Sequence, residues 1–243
     1  MKNKIECVDV WKKYHKNNAM GIKEFILHGS RKNKNRFDRE WALSEISFSV
    51  KAGEAFGIVG PNGTGKSTLL SLLLGTIIAD QGQIRTEGRV ASLLELGAGF
   101  HGDLTGRQNI LLHGVILGMT KEEVKALTPD IIDFSEIQSA IDEPIRSYSS
   151  GMVARLGFSI IIHAASDILL IDEVLAVGDA KFQKKCIQHL NKFKEDGGTI
   201  VVVSHDMPEL ASICDTGFCL NMGKIARYGP IDEVIEYYQN LDY

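Results

Sequence analysis

Apolar positions along this chain follow two rhythms. Residues 55–59 (Ala-Phe-Gly-Ile-Val), 168–171 (Ile-Leu-Leu-Ile) and 199–203 (Thr-Ile-Val-Val-Val) are almost unbroken apolar runs. Runs without alternation predict strands buried on both faces. Residues 179–195 instead place Phe182, Cys186, Leu190 and Phe193 on one helical face, with Gly197 and Gly198 as the stop. Two further runs, STLLSLLLGTIIA and QNILLHGVILGMT, predict core helices, being too short to cross a bilayer. A third segment, SYSSGMVARLGFSI, sets two hydroxyls and a glycine before a helix that is apolar almost all round. Strand–helix alternation of this kind implies a largely parallel sheet covered on both sides. Residues 5–10 and 46–50 read as half-exposed strands of an antiparallel layer. Between them GSRKNKNRFDRE reads as a basic surface loop, or as a contact for anionic lipid head groups or a membrane partner.

Composition narrows the class. A chain of 243 residues, 44% hydrophobic and 24% charged, has ample material for a core. A net charge of -4 argues against a general nucleic-acid binder. The four cysteines (Cys7, Cys186, Cys214, Cys219) lack C-x-x-C spacing and are expected to be reduced thiols, neither a disulfide framework nor a zinc site. The N-terminus, MKNKIECVDVWKK, has no apolar core of the kind a signal peptide needs. The chain is therefore not expected to cross a membrane by itself.

Directly after the first buried run come Gly60, Pro61, Asn62, Gly63, Thr64, Gly65, Lys66, Ser67 and Thr68. This is G-x-x-x-x-G-K-[ST] between a strand and a helix, the setting a phosphate cradle requires. Its glycines let successive N–H groups turn inward, and the helix that follows adds its positive end. Lys66 is placed to reach the β- and γ-phosphates and the Ser67 hydroxyl to ligate Mg²⁺. The second buried run ends in Asp172 and Glu173. Asp172 at the strand end suits the magnesium shell, and Glu173 suits a general base or water-positioner beside the γ-phosphate. No guanine-reading Asn-Lys-x-Asp is present, since Asn191-Lys192-Phe193-Lys194 fails at its last position. ATP is the expected nucleotide. After the third run, His205 opens onto the same crevice and would donate to the γ-phosphate.

Taken together these elements resemble the ATP-binding-cassette family of P-loop NTPases over nearly the whole chain. The resemblance implies an α/β fold with a mostly parallel core sheet, an N-terminal antiparallel β layer and a helical subdomain at about residues 103–163. SYSSGM stands at the family's signature position, roughly twenty residues before the Asp-Glu pair. The usual Leu-Ser-Gly-Gly-Gln is altered: Tyr148, Ser150 and Met152 depart from it, while Ser149 and Gly151 match. By resemblance, Ser149, Ser150 and Gly151 cap the γ-phosphate of ATP held by a second copy, and Asp179 belongs to the loop crossing that interface. Tyr14 matches the aromatic that stacks on adenine. Glu95 stands where the family has a magnesium-sensing glutamine. A carboxylate can still ligate Mg²⁺.

The stretches ASLLELGAGFHGDLTGRQNI, YSSGM and DEVLAVGDAKFQKKC, with the long connection at residues 17–40, resemble the branch exporting O-antigen, capsule or teichoic-acid polymers. Some of its members carry a C-terminal carbohydrate-binding domain. This chain ends at Tyr243, soon after the cassette, so that domain is expected to be absent or removed. The resemblance implies a Mg²⁺-dependent ATPase acting as a homodimer on the cytoplasmic face of the inner membrane. Its partner would be a separate permease dimer, docked near residues 93–100, and its cargo a lipid-linked polysaccharide. Nucleic acid is not expected as a partner. The competing readings are a soluble cassette ATPase acting on DNA or ribosomes, and a purely regulatory nucleotide-binding subunit. The interval between cradle and signature is short and lacks sustained heptads, unlike chromosome-organising relatives. One cassette per chain is unlike translation-related relatives.

Overall fold

The computed structural model describes residues 2–15, 39–93, 99–164, 166–172 and 178–241. The buried runs become β3 (Ala55–Val59), β6 (Ile168–Asp172) and β7 (Thr199–Val203) of a six-stranded sheet. It also holds β5 (Val90–Ser92), β8 (Thr216–Asn221) and β9 (Lys224–Pro230), in the order β5-β6-β7-β3-β8-β9. All neighbours in it run parallel except β8 and β9. Strand side chains alternate between faces, so each run feeds two cores. Leu169, Ile171, Ile200 and Val202 enter one apolar cluster, while Ile168, Leu170, Val201 and Val203 enter another on the opposite face.

The first face is covered by α4 (Ser150–His163), α5 (Ala180–Glu195), α6 (Met207–Ile213) and α7 (Ile231–Gln239). The second is covered by α1 (Lys66–Leu74) and by a three-stranded antiparallel sheet of order β2-β1-β4. Here β1 (Asn3–His15) pairs with β2 (Arg39–Lys51) on one side and β4 (Gln81–Thr86) on the other. Phe48 of this layer stacks on Phe56 of β3, with ring centroids 5.4 Å apart. The expected antiparallel layer is present, and its strands extend well past residues 5–10 and 46–50. Most of residues 29–40 lie outside the described residues.

A third apolar cluster joins α2 (Gly106–Ile116), α3 (Lys121–Ser135) and α4. Thr105 and Thr120 begin α2 and α3 with capping boxes, each hydroxyl accepting a backbone N–H while a Gln or Glu side chain returns the bond. The apolar run over α2 packs into the core on one side only. Ile110 of α2 is buried, but Leu112, Val115 and Ile116 are 36, 43 and 61% exposed, because only one side of α2 meets the bundle. Likewise α1 stops at Leu74, where Gly75 turns to φ 80°. Ile78 beyond it is exposed. The β8–β9 hairpin turns through Met222 and Gly223, at φ 47° and 74°. Two positive φ values in a two-residue loop match the twist of the flanking strands. All four cysteines are free and buried.

Candidate functional site

The cradle forms where β3 ends and α1 begins. Gly60, Gly63 and Gly65 take φ values of 151, 78 and 107°, a region that L side chains rarely adopt. Space is equally restrictive at two of them. A Cβ at Gly60 would run into the Leu220 carbonyl oxygen, and one at Gly65 would lie 2.6 Å from the carbonyl oxygen of Ala42. Thr64, itself buried, donates its hydroxyl to the Pro61 carbonyl at 2.9 Å and tightens the turn. Lys66 is only 7% exposed, and its Nζ donates to the carbonyls of Gly60 (2.7 Å) and Pro61 (3.0 Å). A buried ammonium needs such partners. They hold the cation under the loop, facing the space into which the loop opens.

That space is a cavity of about 720 Å³. Asn62, Gly63, Gly65, Lys66, Ser67 and Thr68 of the cradle line it together with Asp172, Ala42 and Tyr14. Tyr14 is half-exposed at the end of β1, with the Lys12 ammonium 5.9 Å from its ring centroid. Trp11 and Trp41 of the same β1–β2 layer meet edge to face at 5.0 Å, and the Lys13 ammonium lies over Trp41. The Ser67 hydroxyl donates to Asp172 Oδ2 at 3.4 Å, so β6 and α1 bring one hydroxyl and one carboxylate together. Among the described residues no group of three or more His, Cys, Asp or Glu gathers into a metal cage. One hydroxyl and one carboxylate fit Mg²⁺, which keeps waters and phosphate oxygens as its other ligands. The lining suits a nucleoside triphosphate: a cation and glycines of the cradle for phosphates, and the aromatic ring of Tyr14.

His205 follows β7, and its Nε2 is 3.1 Å from Asn62 Oδ1, against the rim of the cradle. Glu173 and Glu95 lie outside the described residues, as do residues 94–98 of the groove expected to receive a permease helix.

The signature stretch is built elsewhere and is not among the residues lining the cavity. Ser149, extended at φ -68° and ψ 159°, is the N-cap of α4, and its Oγ accepts the Met152 N–H at 3.2 Å. Ser150 and Gly151 open the helix. Asp179 caps α5, accepting the Phe182 N–H at 2.9 Å, and also takes Nη2 of Arg155 at 2.9 Å. That backbone bond, then the guanidinium, holds its carboxyl below the usual range. Arg155 reaches Glu136 as well, at 3.3 Å, and lies over the Phe182 ring.

Sequence reasoning did not single out Ala42, Arg155 or Glu209. Ala42 acts through its backbone and place, which no residue type announces. Arg155 lies six residues after Ser149, off the i+3, i+4 and i+7 positions of that helix edge, so its spacing gave no cue. The Ser204-x-x-x-x-Glu209 spacing around His205 was the available signal for the third.

A family model described as ABC transporter matches residues 43–176. The O-antigen export system ATP-binding protein RfbB of Klebsiella pneumoniae is 49% identical over 220 residues, 90% of this chain and 89% of that one. The teichoic acids export ATP-binding protein TagH of Bacillus anthracis is 44% identical over 83% of this chain, which spans 36% of its length. The solved ATP-binding subunit of an ABC transporter superposes with a TM-score of 0.78 at 18% identity, over 97% of this chain and 93% of its own. A dimeric ATP-binding cassette bound to ADP and Pi, in a post-hydrolysis state, gives 0.74 at 21%, over 93% and 98%. At such identities the two structures speak for the fold alone. The family match over more than half of the chain, the near full-length relative and the cradle between β3 and α1 agree: this chain belongs to the ABC transporter family, as an ATP-binding cassette of the ATPase type.

Proposed function

We propose that this ATPase powers export of a lipid-linked polysaccharide of the O-antigen, capsule or teichoic-acid class. It would work as a homodimer on the cytoplasmic face of the membrane, docked on a separate permease. The observation that carries the reading is the 49% identity, over nine tenths of both chains, to a protein named for O-antigen export. Among the described residues no helix is long and apolar enough to cross a membrane.

In this reading Lys66 and the N–H groups of residues 60–68 bind the phosphates, and Tyr14 stacks on adenine. Ser67 and Asp172, with Glu95, would hold Mg²⁺, which when bound neutralises phosphate charge. Glu173 takes the proton of, or orients, the attacking water, and His205 donates to the γ-phosphate. Ser149, Ser150 and Gly151 of the second copy close the site from the other side through a hydroxyl, backbone N–H groups and the positive end of α4. Residues 103–163 move with that closure as a subdomain, and Asp179 lies at the joint between copies. Contact with ATP that ADP cannot make supplies the free-energy difference that drives the permease between states.

Glu173→Gln is expected to abolish turnover and leave an ATP-bound dimer on a sizing column; wild-type hydrolysis would remove Glu173 from its role. Deleting the protein from the cell is expected to leave lipid-linked glycan on the inner side of the membrane. Normal surface glycan would end the export reading, and a defect in DNA maintenance or translation would favour a soluble cassette ATPase.

A further inference from the structure

We propose that Asn62 and Glu209 are positioning residues that together present His205 to the phosphate site, with its ring proton on the nitrogen facing the cradle. The proposal rests on the reading of His205 as a γ-phosphate contact and goes beyond it by naming what aims the ring.

Strand β7 is wholly buried to Val203, and only residues 204–206 separate it from α6. A turn this short fixes its backbone if its ends are tied, and here they are tied through side chains. Ser204 is 5% exposed; its Oγ donates to Glu209 Oε2 at 3.1 Å and accepts the Asp206 N–H at 3.0 Å. Asp206 Oδ1 accepts the Glu209 N–H at 3.0 Å, capping α6. Both chain neighbours of His205 are thereby anchored to the first turn of α6. Glu209 is half-buried, and burial pushes its carboxyl above the usual range.

The ring is held from the opposite side. Its Nε2 lies 3.1 Å from Asn62 Oδ1. An amide oxygen only accepts, so this bond requires the proton on Nε2. A phosphate oxygen also only accepts. The tautomer that Asn62 selects is therefore the one a γ-phosphate contact needs, already set on the nitrogen that faces residues 60–68. The backbone N–H groups of the cradle do not depend on the Asn62 side chain, which separates its aiming role from phosphate binding.

The test measures ATP turnover of the full chain in eight forms: wild type, Asn62→Ala, Asn62→Ser, Glu209→Ala, Glu209→Gln, His205→Ala, and His205→Ala combined with each alanine change. Asn62→Ala and Glu209→Ala are expected to lower kcat about 10-fold with KM for ATP changed less than about 2-fold. Serine at 62 and glutamine at 209 keep an acceptor and are expected to restore most of the rate. In the His205→Ala background neither alanine change is expected to lower the rate further. Long-range proton–nitrogen NMR of the nucleotide-free protein should show His205 as the Nε2–H tautomer, with a mixture in Asn62→Ala. Wild-type kcat in the alanine variants, losses carried by KM, losses that persist undiminished without His205, or an unchanged tautomer would each overturn the proposal. If the alanine variants fail to melt like wild type, the serine and glutamine variants with the NMR readout decide. Wild-type turnover of His205→Ala alone would instead sink the phosphate-contact reading beneath it, a separate result.

Discussion

Among the described residues the starts of α1, α2 and α4 each carry a glycine beside a hydroxyl, and the surroundings of the glycines differ between the first and the last. Before α1, Gly60 and Gly65 sit at positive φ with backbone carbonyls of Leu220 and Ala42 where a side chain would go. In the first turn of α4, Gly151 has neither constraint: a Cβ there would meet only Ser149 Oγ, at 3.9 Å, among the described residues. The chain's own fold dictates the first pair. It does not dictate Gly151, although glycine costs a helix up to about 1 kcal/mol relative to alanine. A surface that must accept another backbone closely would explain a cost the fold leaves unexplained, and the proposed dimer supplies one.

Gly60→Ala is the strongest challenge to this contrast. Strain at φ 151° together with the Leu220 carbonyl should cost about 2–5 kcal/mol of stability and abolish ATP binding. Denaturant midpoints and ATP titration check it, and wild-type values would mean the cradle is not set by its own backbone. Gly151→Ala should show the reverse signs. Stability is expected to hold or rise by up to about 1 kcal/mol, while turnover falls at least about 10-fold because the added methyl stands off the facing phosphate. A stable variant that also turns over normally would dissolve the comparison. Ser149→Ala lies between them. It removes the acceptor for the Met152 N–H and should lower stability by about 1 kcal/mol, with reduced turnover as well.

The smallest effect concerns pH. At the other end of α4, His163 and His189 pack with ring centroids 5.0 Å apart, both beside Phe134. Burial lowers the pKa of both below 6.5, and for His189 the neighbouring His163 adds to it. A lowered folded value means the unfolded chain takes up the proton first, so this stability is complete above about pH 6.5 and lost as pH falls below it. As pH falls from about 7 to about 5, hydrogen-exchange protection factors, taken relative to the intrinsic rate at each pH, should drop in α4 and α5 before they do in β3 and α1. His189→Gln should flatten that dependence.

Legibility in the sequence followed the same division. Residues 55–59, 168–171 and 199–203 announce themselves because a strand buried on both faces admits almost no polar residue, and the cradle follows because its backbone conformation demands glycine. The length of β1 beyond residue 10 was hidden, since Trp11, Lys12, Lys13 and Tyr14 face partly into solvent and owe their strand to pairing with β2 and β4. The β8–β9 hairpin escaped because Met222 stands at a left-handed position where asparagine or glycine is the usual cue. Apolar content overstated the burial of α2, because hydrophobicity does not say which face has a neighbour. Ser149 and Asp179 were placed by resemblance, and their capping bonds are local; what lies opposite them belongs to no pattern within one chain.

The pairing of Trp11 with Trp41 has a practical consequence. They are the two tryptophans of the chain, and they meet across β1 and β2, the strands that also carry Tyr14 and Ala42 of the cavity lining. Indole emission excited at the red edge therefore reports on the β1–β2 layer, and on a base if one docks against Tyr14 as proposed, while α4, which has no tryptophan, stays optically dark. A stopped-flow trace of unlabelled protein would time the docking of the base separately from any later joining of two copies.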